Sequence, residues 1–127
     1  MAPDIAPRAT FLSLVVADPD RARDFYVRVG LTVRSTDPVV LDAGGLRVAL
    51  VQGDTLAALG ARPGGAPGAA ALSLNVDDAN TVDAILDRLP DARVDRAPHT
   101  PPWGGRAAWI RDPDGHLLEL VYNPRLR

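Results

Sequence analysis

The sequence predicts an α+β fold of two tandem β-α-β-β-β modules, and three observations predict it. Residues 11–18 read FLSLVVAD and residues 71–78 read ALSLNVDD, so a strand and the start of a helix occur twice. Each copy is followed by three short β-rich runs. A DPDG turn then separates the last two strands, 112–115. Neither half alone is long enough to bury a core, so the 127 residues form one domain. Module one spans about 8–52, a Gly/Pro/Ala-rich linker about 53–68, and module two about 69–124.

The elements follow in order. After the first strand, Asp18 is suited to cap a helix and Pro19 to its first position. Ala22, Phe25, Tyr26 and Val29 then fall at i, i+3, i+4 and i+7, which is one buried stripe. Gly30 closes that helix. The strand runs LTVRS, PVVLDA and LRVALVQ complete the module. The linker has room for one helical turn. In the second module Asp78 caps, and Val82, Ile85, Leu86 and Leu89 repeat the stripe before Pro90. The runs ARVDR, RAAWIRD and HLLELVY follow, with GHLLELVY aligned on GLRVALVQ at a spacing ten residues longer. The extra length belongs to a loop at 97–106 that contains Trp103.

Composition excludes several classes of function. Net charge is −2, with no basic surplus for nucleic acid. All 14 basic residues are Arg, a compositional bias rather than a motif. The absence of Cys rules out disulfides, thiolate metal sites and thiol nucleophiles. No run has the roughly 18 apolar residues of a membrane span, and the N-terminus has no apolar signal core, so a cytoplasmic protein without a membrane partner is expected.

Strand alternation sorts the side chains. Leu12, Leu14 and Val16, with Leu72, Leu74 and Val76, face the helices. Phe11, Ser13 and Val15, with Ala71, Ser73 and Asn75, face away, and this small, polar second face suggests a cleft. If Gly115 takes a left-handed position in a three-residue loop, Asp112 pairs with His116 and Trp109 with Glu119. Glu119, the only glutamate among 16 acidic residues, then lies in the cleft against an indole.

VVADPDRARDFYVRVGLTV near the start and WIRDPDGHLLELVYNP at the end resemble the vicinal oxygen chelate superfamily, which includes glyoxalase I, ring-cleaving dioxygenases and bleomycin-resistance proteins. The resemblance implies a curved mixed sheet around a cleft, helices on its outer face, and frequent completion by a second subunit. It also implies metal ligands at four equivalent strand positions, which here are Phe11, Ala49, Ala71 and Glu119. A divalent ion needs about three N or O donors, and Phe and Ala offer none. The expectation is therefore no metal and no cofactor. Bleomycin-resistance proteins carry a similar Trp-Gly before the final hairpin, with aromatic and acidic groups lining a groove at the dimer interface.

The expected ligand-binding set is Phe11, Ser13, Ala49, Ala71, Ser73, Asn75, Trp103, Arg106, Trp109 and Glu119. The plain alternatives are a salt bridge for Arg106, a core position for Trp109, and a hydrogen-bonded strand carboxylate for Glu119. A serine beside no base is a poor nucleophile, so Ser13 and Ser73 are assigned no catalytic part. The leading expectation is a metal-free homodimer that binds or sequesters a small amphipathic or aromatic molecule, antibiotics included. The competing one is a glyoxalase-like lyase or isomerase, either metal-dependent or using Glu119 as a cofactor-free base.

Overall fold

The computed structural model describes residues 5–65 and 67–126. Module one contains β1 (Phe11–Val15), α1 (Pro19–Val29), β2 (Thr32–Thr36), β3 (Val39–Ala43) and β4 (Leu46–Val51). The linker carries α2 (Gly53–Ala58). Module two contains β5 (Ala71–Asn75), α3 (Ala79–Asp87), β6 (Arg93–His99), β7 (Arg106–Arg111) and β8 (Leu117–Tyr122). The sheets have the same strand order, β1-β4-β3-β2 and β5-β8-β7-β6, each with one parallel pair between its first and last strands. They are two separate mixed sheets and do not close a barrel. Each sheet belongs to one of the two βαβββ modules that the sequence predicts. Strand β6 runs to His99, which shortens the expected 97–106 loop from its start.

Both helices begin where the sequence places them. Asp18 accepts from the N–H groups of Asp20 and Arg21 with Pro19 in the first turn, and Asp78 accepts from Asn80. Gly30 ends α1 at φ 125°, a conformation that disfavours any side chain. Helix α3 ends at Asp87, before Pro90. The α1 stripe is fully buried: Ala22, Phe25, Tyr26 and Val29 are all at 4% exposure or less. Against both helices pack Leu14, Leu41, Val48 and Leu50 from one sheet and Ala108, Ile110, Leu118 and Leu120 from the other, in one continuous core. Alternation leaves the opposite face of each sheet open.

One turn ties the modules together. Asp112, 4% exposed, accepts a hydrogen bond from the Tyr26 hydroxyl at 2.6 Å across 86 residues of sequence. The same carboxylate accepts from the N–H groups of Asp114 and His116 at 2.9 and 2.8 Å, which fixes the DPDG turn. Asp114 in turn accepts from the Ala17 N–H at 2.8 Å. His116 Nε2 lies 2.7 Å from the Val15 carbonyl, which can only accept, so this nitrogen carries the proton. Even-numbered β1 positions bond to β4, as Val16 N–H to Val51 O shows, so Val15 O and Ala17 N–H lie on the edge that β4 leaves unpaired. The hairpin of module two therefore caps the edge strand of module one. The sequence presents DPDG as a turn; its second role as a clasp appears only in three dimensions.

Burial, then the Asp112 hydrogen bond and the nearby carboxylates, hold the Tyr26 phenol protonated far above the ordinary tyrosine range. Its folded pKa lies above its unfolded one. The stability it contributes is therefore complete below the unfolded value of about 10 and is lost as pH rises beyond it. The urea midpoint of the wild type should fall above about pH 10, and Tyr26→Phe should flatten that part of the profile. Parallel profiles for the two proteins would refute the assignment.

Candidate functional site

The open face of module two is a grid set by strand register. The bond from Asp112 N–H to His116 O and a Gly115 φ of 90° give the three-residue hairpin, and Trp109 pairs with Glu119 as expected. Glu119 pairs on its other side with Ser73, and Trp109 pairs with Arg96 of β6. Residues directly opposite one another share a face. Arg96, Trp109, Glu119 and Ser73 thus form one row across all four strands. Ser73 Oγ donates to Glu119 Oε1 at 2.8 Å, so this serine does stand beside a carboxylate. Trp109 and Glu119 are half-buried, while Ser73 and Arg96 are exposed.

Module one repeats the geometry without the chemistry. Its corresponding row is Ser35, Val40, Ala49 and Ser13. Ala49 stands opposite Ser13 as Glu119 stands opposite Ser73. Phe11 is 52% exposed, with the Arg47 guanidinium 5.9 Å from its ring centroid. Arg47 also lies 3.7 Å from Asp42. Of the four positions that the resemblance implies for metal ligands, Phe11, Ala49 and Ala71 present only carbon. Among the described residues no group of three or more His, Asp or Glu side chains could hold a metal ion. The residues present do not fit a divalent metal centre.

Two sequence-predicted residues, Arg106 and Ser13, lie away from this row. Arg106 belongs to the helix side of β7, with Ala108 and Ile110, and reaches Asp83 of α3 through two hydrogen bonds of 2.8 Å. That pairing draws the Asp83 carboxyl below its usual range. Arg106 is a bridge between sheet and helix, and the structure does not bring it to the Trp109–Glu119 row. The alternation that puts Trp109 on the open face also turns Arg106 away from it. Ser13 lines a groove of about 690 Å³ with Asp54, Arg62, Arg111 and His116. Asn75, on the same face of β5 as Ser73, lines with it a hollow of about 420 Å³ beside Gly44 and Gly45.

Trp103 lies in the loop before β7, 40% exposed. The loop is folded onto itself. Gly104 N–H donates to Pro101 O at 2.9 Å, Pro101 is buried, and a Cβ on Gly105 would fall 2.7 Å from the Trp103 ring. The open-face residues at this end of the sheet, Ala107 and Val121, are 1% and 6% exposed, in contrast to the half-buried row beside them. Trp103 therefore packs close to Gly105 in the loop before β7, and Trp109 lies in the open middle of the face.

Arg96 is the site residue that sequence reading missed. Unbroken alternation from the Val94–Ile110 pair would set Asp95 opposite Trp109. A register shift between Val94 and Arg96 inserts one residue and substitutes Arg96. The first module shows the same shift between Val33 and Ser35, so the irregularity belongs to the repeat.

A pair of four-stranded mixed sheets with one helix each, an open polar face and a DPDG clasp define the class of this protein. It belongs to the glyoxalase/bleomycin resistance protein/dioxygenase superfamily, whose family model matches residues 8–120. Similar solved structures include a glyoxalase-related enzyme from Fulvimarina pelagi, with 26% identity, a TM-score of 0.79, and 94% of this chain and 90% of that one covered. TioX from Micromonospora sp. ML1 has 27% identity and a TM-score of 0.69, over 91% of this chain and 98% of that one. A lactoylglutathione lyase from Agrobacterium tumefaciens shares the fold at 23% identity and a TM-score of 0.70, over 98% of each chain. No curated protein sequence matches. Among the described residues no helix is long and apolar enough to cross a membrane.

Proposed function

We propose that this protein binds a small amphipathic or aromatic molecule, antibiotics among the suitable classes, without using a metal, in a groove that a second copy of the chain completes. The observation that carries this reading is the Trp109–Glu119–Ser73 row, in which Trp109 and Glu119 are half-buried and Ser73 is hydrogen-bonded to Glu119, together with three implied ligand positions that end in carbon. A lyase or isomerase of the metal-dependent kind needs donors that Phe11, Ala49 and Ala71 do not supply. A planar ligand over Trp109 gains about 0.5–1.5 kcal/mol beyond area burial from stacking, and more if it is cationic. Glu119 offers a second oxygen to such a cation.

Purified protein is expected to contain no stoichiometric Zn²⁺, Ni²⁺ or Fe²⁺ by elemental analysis and to be indifferent to chelators. Titration with a panel of aromatic antibiotics should change tryptophan emission. Glu119→Gln should weaken cationic members of the panel more than neutral ones, and Trp103→Ala should weaken binding without unfolding the chain. One tightly held metal per chain, or binding that neither substitution alters, would refute the reading.

The open face of module one favours pairing, since Phe11 on it is 52% exposed. Light scattering at micromolar concentration should return twice the chain mass of 13.5 kDa, and Phe11→Asp should shift that value toward one chain. A folded wild-type monomer would contradict the shared groove.

A further inference from the structure

Resting on that reading of the open face, we infer that the ligand is amphoteric: a planar molecule with a cationic group at one end and an anionic group at the other, the anion being held by Arg96. The row on module two reads cation, indole, anion, hydroxyl across successive strands. Arg96 and Glu119 stand on either side of Trp109, two strand spacings or roughly 9.5 Å apart along the sheet. They are too far apart to neutralise one another directly, and the stacking surface lies between them.

The other arginines on the open faces are engaged. Arg111 donates to Asp95 at 2.8 Å, Arg93 lies 3.3 Å from the same carboxylate, and Arg47 lies against Asp42 and Phe11. Among the described residues the Arg96 side chain has no hydrogen bond or ion pair. The inserted residue explains both facts. It moves Asp95 out of the row and into the Arg93–Arg111 cluster, and it presents an exposed guanidinium beside the indole in its place. With Asp95 at that position, both flanks of Trp109 would be acidic and the face would select for cations alone. With Arg96 there, a dication meets repulsion at one end and a dianion at the other. A guanidinium also pairs bidentately with a carboxylate or an acidic phenolate, which gives the anionic end a defined orientation.

The test uses four biphenyl probes and the full chain: the hydrocarbon-like parent alcohol, the 4-amidine, the 4-carboxylate, and the 4-amidine-4′-carboxylate. Binding is followed by tryptophan emission and calorimetry at low and high salt. The bifunctional probe should bind about tenfold tighter than either singly charged one, with the advantage reduced by salt. Arg96→Gln should remove about tenfold of affinity for the two carboxylate probes. Arg96→Glu should strengthen binding of the amidine probe, a gain that no unfolded variant would show. Glu119→Gln should remove the amidine advantage and leave the carboxylate one. If the amidine and parent probes bind but the second charge adds nothing, or Arg96→Gln weakens all probes equally, the amphoteric assignment is overturned while the binding face stands. If no probe perturbs Trp109 at all, both the assignment and the proposed binding face are overturned.

Discussion

Replacing Asp112 with alanine is expected to lower the free energy of unfolding by about 3–4 kcal/mol, the largest effect of any single polar substitution in the molecule. The carboxylate is buried and accepts three hydrogen bonds, one from the Tyr26 hydroxyl and two from the backbone of its own turn. Alanine leaves the phenol without a partner, and an unpaired buried hydroxyl costs about 1–3 kcal/mol by itself. The Asp114 and His116 N–H groups lose their shared acceptor, Asp112 Oδ1, as well, and with it the orientation of Asp114 and His116 toward β1. Tyr26→Phe should cost only about 1–2 kcal/mol, because Asp112 keeps its backbone partners. The double variant Tyr26→Phe/Asp112→Ala should be less destabilised than the two single losses added together, by about 1–2 kcal/mol. Urea denaturation of the four proteins provides the cycle. Simple additivity, or an Asp112→Ala protein within 1 kcal/mol of wild type, would show that the clasp contributes little.

The second large effect is expected at Gly105. Its φ is 79°, and an added Cβ would collide with the Tyr122 carbonyl oxygen and press on the Trp103 ring. Gly105→Ala combines backbone strain with an obstructed position, for about 3 kcal/mol. The neighbouring Gly104, at φ 89°, has nothing within 4 Å of the same atom. Gly104→Ala should therefore show the backbone cost alone, about 1 kcal/mol. The two substitutions have identical chemistry and adjoining positions, so the difference between them measures the close approach. Trp103 should report it too, with red-shifted emission in Gly105→Ala only. Equal losses at both positions would mean that the loop is not packed onto β8 as described.

Most of the fold is legible in the chain because it is written in short-range rules. The stripe from Ala22 to Val29, the caps at Asp18 and Asp78, and the alternation of Leu118 and Leu120 around Glu119 all involve residues a few positions apart. The Trp109–Glu119 pairing was equally readable, since a single turn geometry at Gly115 sets the register of both strands. What was not legible depends on distant partners or on one extra residue. Nothing near Tyr26 announces that its hydroxyl meets Asp112, and nothing in DPDG announces that its last turn reaches β1. The shift in β6 leaves no mark in RVDRAPH, yet it replaces an acid with a base beside the indole. Arg106 was misassigned for a different reason. It is the last residue of PPWGGR and the first of β7, whose parity turns it to the helices, where Asp83 takes it in the salt bridge that was its plain alternative.

The clasp also has a consequence for synthesis. A chain that emerges from its N-terminus completes β1 and α1 long before residues 112–116 exist. Throughout that interval the first module holds a hydroxyl meant for burial and a strand edge with no cap. An uncapped edge is a template for pairing with other chains. At translation rates of roughly 5–20 residues per second, the exposure lasts for seconds and ends only when the final hairpin arrives. Any product arrested before Asp112 would keep the edge open indefinitely. A nascent chain of this protein should therefore engage holding chaperones through its first module and be released when its last two strands emerge.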